Sequence, residues 1–175
     1  MIEEVVLVDE LDNEMGVMEK MEAHKKGLLH RAFSIFIFNN KNELLLQKRA
    51  FEKYHSGGLW TNTCCSHPKP GEKLSNAIHR RLNEEMGLTC ELNFAFTFLY
   101  KAEFSNGLTE HELDHVFIGQ TDDLPKASIT EVAEWKYMKC EEIQEDIKKN
   151  PNQYTEWFKI CFKRFLSHVA YPYLN

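Results

Sequence analysis

The chain has 175 residues, of which 43% are hydrophobic and 27% charged, an ordinary composition for a soluble globular protein. This length predicts one domain, residues 1–175, large enough to bury a core. The formal net charge of −6 argues against a nucleic-acid partner, because nucleic acids are bound by basic surfaces.

The five cysteines indicate the cellular compartment. Their number is odd and none are spaced CxxC, which argues against a disulfide framework and a structural zinc ribbon. The N-terminal residues MIEEVVLVDE lack the basic and apolar regions of a signal peptide, and no apolar run approaches the ~20 residues of a membrane span. We therefore expect a cytoplasmic protein without a membrane span. The sequence does not determine the oligomeric state, and a monomer is one possibility.

Apolar runs in the first third of the chain predict strands at residues 5–8, 28–38 and 43–49. The last two are joined by the turn sequence NNKN and therefore form a hairpin. His30 stands near the start of the first hairpin strand, along which side chains alternate between faces. Lys20 and His24 are four residues apart and share one face if their charged segment is helical. If Lys20 has no functional partner, it is a solvated charge on the protein surface.

Two basic residues accompany the loop predicted at residues 50–59, with Arg49 before it and Lys53 inside it. Taken alone, they are surface cations. Opposite a diphosphate they would bind its oxygen atoms, since phosphate groups are ligands of Arg and Lys.

A helix is predicted within the stretch WTNTCCSHPKPGEKLSNAIHRRLNEEMGL, residues 60–88. Its apolar residues recur every four positions and stop before a glycine suited to a left-handed helix end. These positions are Leu74, Ile78, Leu82 and Met86, followed by Gly87.

Two charged residues of this helix, Arg81 and Glu85, fall on its inward face, where a bare charge is too costly to bury. One interpretation is an internal ion pair between them, four residues apart. The other is that Glu85 binds a metal and that Arg81 and the metal share an anionic substrate. The helix by itself does not separate the two.

An aromatic-rich strand at residues 91–104 and its partner strand at residues 108–120 follow, with a turn at residues 105–107. Glu110 and Glu112 are two apart, so both side chains project from one face. Adjacent carboxylates repel, and the pKa of one rises unless a cation lies between them. The alternative interpretation is an acidic strand exposed to solvent. Against it, the residues that continue the same face of the strand are apolar, which places the carboxylates at the mouth of an interior. Tyr100, on the facing strand, is placed to reach both carboxylates.

The last part of the chain predicts a strand and two helices, at residues 132–138, 141–149 and 153–169. The final helix carries an aromatic stripe at helical spacing, most of which we assign to the core. Trp157 belongs to this stripe, so packing is its plain explanation.

Several separated motifs resemble a known superfamily. The Nudix signature is matched in register by Glu72, Arg80, Leu82, Glu84, Glu85, Gly87 and Leu88. Two positions depart from it, Ser66 in place of a glycine and Arg81 in place of a glutamate. These departures, with Cys65 and the run TNTCCSHP, are similar to the type I isopentenyl diphosphate isomerases, Nudix-fold enzymes that do not hydrolyse their substrate. The resemblance extends over residues 5–157 and implies an α+β Nudix fold, a mixed β-sheet sandwiched between helices.

The resemblance also implies two ion sites and a diphosphate site. One divalent ion, Zn²⁺ or Mn²⁺ by the chemistry of the ligands, is held by His24, His30, His67, Glu110 and Glu112. A second ion, Mg²⁺, bridges Glu85 and the substrate diphosphate. The implied diphosphate contacts are Lys20, Arg49, Lys53, Ser66 and Arg81.

The implied reaction is the allylic isomerisation of a small isoprenoid diphosphate, isopentenyl diphosphate, to dimethylallyl diphosphate through a tertiary carbocation. Cys65 and Glu112 are the two opposed proton carriers that such a reaction needs, and the order of their proton transfers is left open. Tyr100 assists Glu112, and Trp157 faces the cation with its ring.

The cavity must be dry, because water would trap the cation. Aromatic residues within 94–100 and 157–165 are its expected walls. Cys64 is the poorer catalytic candidate, because neighbours on an extended segment point in opposite directions.

Two other functions remain as alternatives. The first is a Nudix hydrolase of a nucleotide or another diphosphate, which the glutamates Glu72, Glu84 and Glu85 favour. The second is a metal-stabilised binding module without activity.

Overall fold

The computed structural model of the protein describes residues 3–53, 55–104 and 106–168. Its strands are β1 (Glu4–Val8), β2 (Glu14–Glu19), β3 (His30–Phe38), β4 (Glu43–Arg49), β5 (Trp60–Thr61), β6 (Cys64–Ser66), β7 (Leu92–Glu103), β8 (Thr109–Gln120) and β9 (Val132–Lys139). Its α-helices are α1 (Lys20–Lys26), α2 (Leu74–Met86), α3 (Cys140–Lys149) and α4 (Glu156–His168), with a 3₁₀ turn at Pro151–Gln153. Within these ranges, no helix is both long and apolar enough to cross a membrane.

Strand β3 is the centre of a mixed sheet. It runs parallel to β8, from His30 opposite Glu112 to Phe38 opposite Gln120. Strand β7 pairs antiparallel with β8, and β6 pairs antiparallel with β3. Strand β4 joins β3 at the predicted hairpin and pairs antiparallel with β5 and β9. The register between β3 and β8 therefore places His30 beside Glu112, and both are predicted metal ligands.

Helices cover both faces of the sheet. Phe36 and Phe38 pack with the aromatic stripe of α4, where Phe36 stacks on Phe165 with 4.8 Å between ring centroids. Ile35 and Ile37, which alternate with them along β3, pack in a second apolar cluster that includes residues of α2. The predicted alternation along β3 is confirmed, and so is the predicted α+β arrangement of a mixed sheet between helices.

Helix α2 ends where the sequence predicts. Ile78, Leu82 and Met86 are buried, and burial of such a side chain contributes roughly 1.5–3 kcal/mol. Gly87 then adopts a φ of 63° and donates its N–H to the carbonyl of Asn83. A Cβ atom at this glycine would lie 2.7 Å from the Lys126 carbonyl oxygen. Both the backbone conformation and the close approach of this neighbouring segment therefore require glycine.

The final helix begins later than predicted, at Glu156 rather than residue 153. Pro151 starts a separate 3₁₀ turn, and Tyr154 is extended. Thr155 donates its backbone N–H to the Trp60 carbonyl oxygen at 3.0 Å, which anchors this segment to β5. The contact with a distant strand thus competes with continuation of the helix.

Three short or polar strands, β2, β5 and β6, were not predicted, because none carries a long alternating apolar pattern. Three predicted positions lie outside the described residues, namely Tyr54 in the loop, Ser105 in the turn and Val169 at the end of the last helix.

The prediction that residues 94–100 wall the cavity is mostly wrong. Phe94 is 59% exposed, because the register of β7 against β8 shifts between Phe94 and Phe96. Such a bulge changes the face on which a side chain lies. Phe96 and Phe98 are buried in the core beside α4, and within this segment Tyr100 lines the cavity described below.

Candidate active site

A cavity of about 410 Å³ collects the predicted site residues. Its lining includes all the predicted diphosphate contacts and Trp157, namely Lys20, Arg49, Lys53, Ser66, Arg81 and Trp157. The predicted proton carriers and most predicted ligands also line it, namely Cys65, Tyr100, Glu112, His67, Glu85 and Glu110. The two remaining ligands, His24 and His30, are fully buried, with ring centroids 6.0 and 5.0 Å from that of His67. Folding therefore joins residues from widely separated segments at one place.

The two buried histidines are oriented by backbone carbonyl groups. His24 Nδ1 lies 2.6 Å from the Lys20 carbonyl oxygen, and His30 Nδ1 lies 2.8 Å from that of Leu28. Because a carbonyl oxygen only accepts hydrogen bonds, each Nδ1 carries the proton. Nε2 is then the ring atom of each histidine that can bind a metal, through the electron pair it carries when it holds no proton.

These histidines form a group with the geometry of a metal site. One side-chain ligand atom from each of His24, His30, His67 and Glu112 lies within 4.8 Å of the others. His67 Nε2 is 3.0 Å from Glu112 Oε1, and His30 Nε2 is 3.5 Å from the same oxygen. Three imidazoles with a carboxylate suit a borderline divalent ion, so the residues fit the implied metal.

Tyr100 links the two glutamates of β8, as the sequence predicts. Its hydroxyl group lies 2.5 Å from Glu112 Oε2 and 3.1 Å from Glu110 Oε2, and it donates to these carboxylates. Tyr100 stands opposite Glu112 in the β7–β8 register, so its position follows directly from strand pairing. Burial, together with the nearby carboxylates, raises the pKa of Tyr100 well above its ordinary value, so the phenol keeps its proton.

The two carboxyl groups differ in their titration. Burial, followed by repulsion from Glu112, raises the pKa of Glu110 well above its ordinary value. Burial also acts to raise the pKa of Glu112, but contacts with His30 and His67 hold that pKa well below the ordinary value. The predicted separation of the pair is therefore present, with Glu112 as the charged member.

His67 remains neutral at physiological pH. Burial lowers its pKa to about 4, although the contact with Glu112 opposes this effect. A neutral imidazole is the form that binds a metal.

The neighbouring cysteines point to opposite sides of β6. Cys65 stands opposite Ser34 of β3 and lines the cavity, whereas Cys64 is fully buried in the apolar cluster beneath α2. Burial raises the pKa of the Cys65 thiol, with Arg49 opposing the rise and Glu85 adding to it. Cys65 is therefore a protonated thiol that faces the cavity.

The Arg81–Glu85 ion pair that the sequence offered as one interpretation is formed. Arg81 Nη2 contacts Glu85 Oε1, and its Nη1 donates to Glu84 at 2.8 Å. Glu85 is buried, and its other oxygen accepts a hydrogen bond from Gln47 Nε2 at 2.8 Å. The ion pair does not exclude the second interpretation, because both residues line the cavity.

The other cations of the cavity are also held in defined positions. The Arg49 guanidinium lies 5.1 Å from the centre of the Trp157 ring, within the range of a cation–π contact. Lys20 Nζ lies 3.0 Å from Glu3. Lys53 pairs with Glu131.

Three contributors to the site were missed from the sequence. Glu131 follows an irregular segment, yet it contacts both Lys53 and Arg81. Gln47 lies on β4 and reaches Glu85 across the fold. His55 lies in the loop before β5, and its Nε2 is 3.2 Å from Glu110 Oε1. Of these three, only His55 could have been found from the sequence, because it is a histidine like three of the predicted metal ligands.

Residues 28–158 match the NUDIX domain model. An isopentenyl-diphosphate Delta-isomerase from Pectobacterium atrosepticum is 56% identical over 161 residues, which cover 92% of this chain and 90% of the relative. Isopentenyl-diphosphate Delta-isomerase 2 from Aromatoleum aromaticum is 50% identical over 167 residues, or 95% of this chain and 88% of the relative. The chain belongs to the isopentenyl-diphosphate Delta-isomerase family.

Two solved structures share the fold of this chain. A crystal structure from Deinococcus radiodurans has a TM-score of 0.76 at 14% identity and covers 93% of this chain and 98% of its own. The MutT protein from Methanosarcina mazei has a TM-score of 0.66 at 23% identity, covering 79% and 94% of the two chains. The predicted fold is thus confirmed, and the predicted isomerase membership is confirmed by the two relatives named above.

Proposed function

We propose that this protein converts isopentenyl diphosphate to dimethylallyl diphosphate in isoprenoid biosynthesis. The observation that carries the proposal is that a protonated thiol, Cys65, and a charged carboxylate, Glu112, line one cavity together with six lysine and arginine side chains. The identity of the chain to Delta-isomerases supports the same activity. The protein acts as a single domain in the cytoplasm.

The reaction needs two proton carriers. A proton added to the terminal alkene carbon gives a tertiary carbocation, and loss of a proton from the methylene group next to that centre forms the new double bond. Cys65 and Glu112 are these carriers, since they come from different strands that both flank β3. Tyr100 keeps its proton and holds Glu112 in place by a hydrogen bond.

The carbocation requires stabilisation and the exclusion of water. Trp157 is buried, and its ring already accepts the guanidinium of Arg49 as a cation–π partner. The ring is thus suited to a positive charge developing in the cavity. Tyr100 and Phe33 add aromatic surface to the lining.

The diphosphate is bound by basic and polar side chains of the lining, Lys20, Arg49, Lys53, Ser66 and Arg81. Their present partners are mostly carboxylates, which hold the cations in place against mutual repulsion. Glu85 would hold the Mg²⁺ that accompanies the diphosphate, since this ion prefers carboxylate and phosphate oxygens.

The residues that would hold Zn²⁺ or Mn²⁺ are His24, His30, His67, Glu110 and Glu112. When bound, the ion neutralises the two adjacent carboxylates and fixes Glu112 for proton transfer. His24 and His30 are oriented for this role by the carbonyl groups of Lys20 and Leu28.

The proposal is tested by incubating the purified protein with isopentenyl diphosphate, Mg²⁺ and Mn²⁺ and resolving the products by chromatography. Dimethylallyl diphosphate without released phosphate is the expected result. Phosphate release would identify a hydrolase instead. An intact, metal-loaded protein that releases neither product would exclude both enzymes and leave the binding module.

A further inference from the structure

The loop between β4 and β5 contains a histidine whose ring is directed inward. The side chain of His55 is only 4% exposed, and its Nε2 lies 3.2 Å from Glu110 Oε1. The ring stacks on Phe104 with 5.1 Å between centroids and meets the Trp157 ring edge-on at 5.6 Å. These two contacts fix the direction in which the imidazole faces.

His55 belongs to a second group with metal-site geometry. One ligand atom from each of His24, His55 and Glu110 lies within 4.8 Å of the others. Two ligands of one ion with bonds of about 2.0–2.2 Å are at most about 4.4 Å apart. A movement of each atom by at most roughly 0.6–0.8 Å toward a common centre therefore brings all three onto one ion.

The two metal-site groups share His24. The Nδ1 of this ring donates to the Lys20 carbonyl oxygen at 2.6 Å, so only Nε2 is left to bind a metal. A single imidazole electron pair binds one ion at a time. The ligand atoms of His30, His67 and Glu112 and those of His55 and Glu110 form two groups that meet at His24. An ion bound to His24 Nε2 is therefore next to both groups.

We propose that His55 is a fourth imidazole ligand of this metal ion, together with His24, His30 and His67. This inference rests on the proposed metal site and deepens it. The ion then has four imidazoles and two carboxylates, Glu110 and Glu112, and the loop that carries His55 is tied to the metal. Metal binding thereby also orders the loop that contains Lys53.

The proposal is tested by counting imidazoles on the ion. Metal-stripped protein is loaded with Co²⁺, and X-ray absorption spectroscopy gives the number of imidazole ligands, while titration against a chromophoric chelator gives the stoichiometry and Kd. We expect one ion per chain with four imidazoles. Two ions per chain, or three imidazoles on a single ion, would overturn the proposal.

Variants at His55 provide the second arm. His55→Phe keeps an aromatic ring to pack on Phe104 and Trp157 but removes the nitrogen atoms, and His55→Ala removes both. In each, the imidazole count should fall by one and the Kd should rise by more than the roughly 10–100-fold that loss of an outer-shell partner costs. An unchanged count, whatever the Kd, would make His55 a mere neighbour of Glu110 and refute the assignment.

The matched control is His79→Ala, which removes an exposed histidine of α2. It should change neither the imidazole count nor the Kd. All of these readouts are independent of turnover. A protein with four imidazoles that fails to isomerise its substrate would contradict the proposed function alone, and an active isomerase with three would contradict the His55 assignment alone.

Discussion

At the scale of single residues, the two adjacent cysteines have opposite environments. Cys65 faces the cavity, and Cys64 is fully buried in the apolar cluster that packs against α2. The difference results from the alternation of side chains along β6, which is paired with β3 at both positions. Of the two, Cys65 is the one that lines the cavity, as its proposed role in proton transfer requires.

We predict that Cys65→Ala lowers kcat by roughly 10²–10⁴-fold, the usual contribution of a general acid or base, and leaves the fold intact. Cys64→Ala should remain active and lose only the stability associated with a small cavity. Steady-state kinetics and thermal unfolding of both variants check this. Similar turnover in the two variants would contradict the assignment.

Tyr100 is the second residue for which the structure makes a sharp prediction. Its hydroxyl donates to the carboxylates of Glu110 and Glu112, both of which are buried. Tyr100→Phe should lower kcat more than it raises KM, because the hydroxyl orients Glu112 rather than the diphosphate.

The loss of this hydrogen bond should also cost about 1–3 kcal/mol in the free energy of unfolding of the metal-free protein, since a buried acceptor loses its donor. Urea denaturation measures this change. A Tyr100→Phe variant with unchanged kcat would show that the hydroxyl has no positioning role.

At the scale of elements, helix α2 presents a network of charges to the cavity. Arg81 contacts three carboxylates, those of Glu84, Glu85 and Glu131, and Glu131 in turn holds Lys53. One arginine thus balances the acidic face that the helix shares with the segment before β9. In this chain the arginine stands where the Nudix signature has a glutamate.

We predict that Arg81→Glu raises the KM for isopentenyl diphosphate by roughly 10–100-fold, as expected for the loss of a charge-assisted contact. It should not create a hydrolase, although it restores the Nudix glutamate, because four carboxylates would then repel at one point. Phosphate release is measured beside isomerisation. Arg81→Lys is the control, which keeps the charge. Efficient phosphate release by Arg81→Glu would refute this explanation of why an arginine replaces the glutamate of the Nudix signature.

The connection between α3 and α4 includes a polar contact between Tyr154 and Asp146. Tyr154 is buried, and its hydroxyl donates to Asp146 on α3. The hydrogen bonds from Tyr154 and Asn150 lower the pKa of Asp146 below its ordinary value. Because the lowered pKa belongs to the folded state, this contact stabilises the protein above the unfolded pKa of about 3.9 and loses its effect as the pH falls through the folded value.

Tyr154→Phe should therefore lower the free energy of unfolding by about 1 kcal/mol at neutral pH, a modest cost because Asp146 is partly exposed. The difference from the unmodified protein should shrink in acid below the ordinary pKa of an aspartate. Urea denaturation at several pH values checks this trend. A difference that grows in acid would contradict the sign of the effect.

At the scale of the whole molecule, the proposed metal site connects elements that are distant in the chain. His24 comes from α1, His30 from β3, His67 follows β6, and Glu110 and Glu112 come from β8. The unfolded chain holds no such site, so the free energy of metal binding adds to that of folding.

We predict that a strong chelator lowers both the Tm and the isomerase activity, and that Zn²⁺ or Mn²⁺ restores both. His67→Ala should have the same effect without chelator. Differential scanning calorimetry and product chromatography on the same samples measure the two quantities. A metal-free protein that is fully active and equally stable would refute the arrangement.

The sequence by itself determined the elements whose causes are local. The four-residue apolar repeat and Gly87 define α2, and the alternation along β3 divides its side chains between two faces. Glu110 and Glu112 share a face because they are two residues apart on a strand. The motif around Cys65 also indicated the family, since its residue types are specific and their spacing is fixed.

Only the tertiary structure decided which distant groups meet. The parallel pairing of β3 with β8 places His30 beside Glu112, and no local pattern specifies that register. The inward position of His55 and the contact of Glu131 with two cations depend on how loops pack, and loops carry no periodic signal. The bulge in β7 that exposes Phe94 has the same origin. Side-chain periodicity is a local property of the chain, whereas register, loop packing and the convergence of charges are set by contacts between elements.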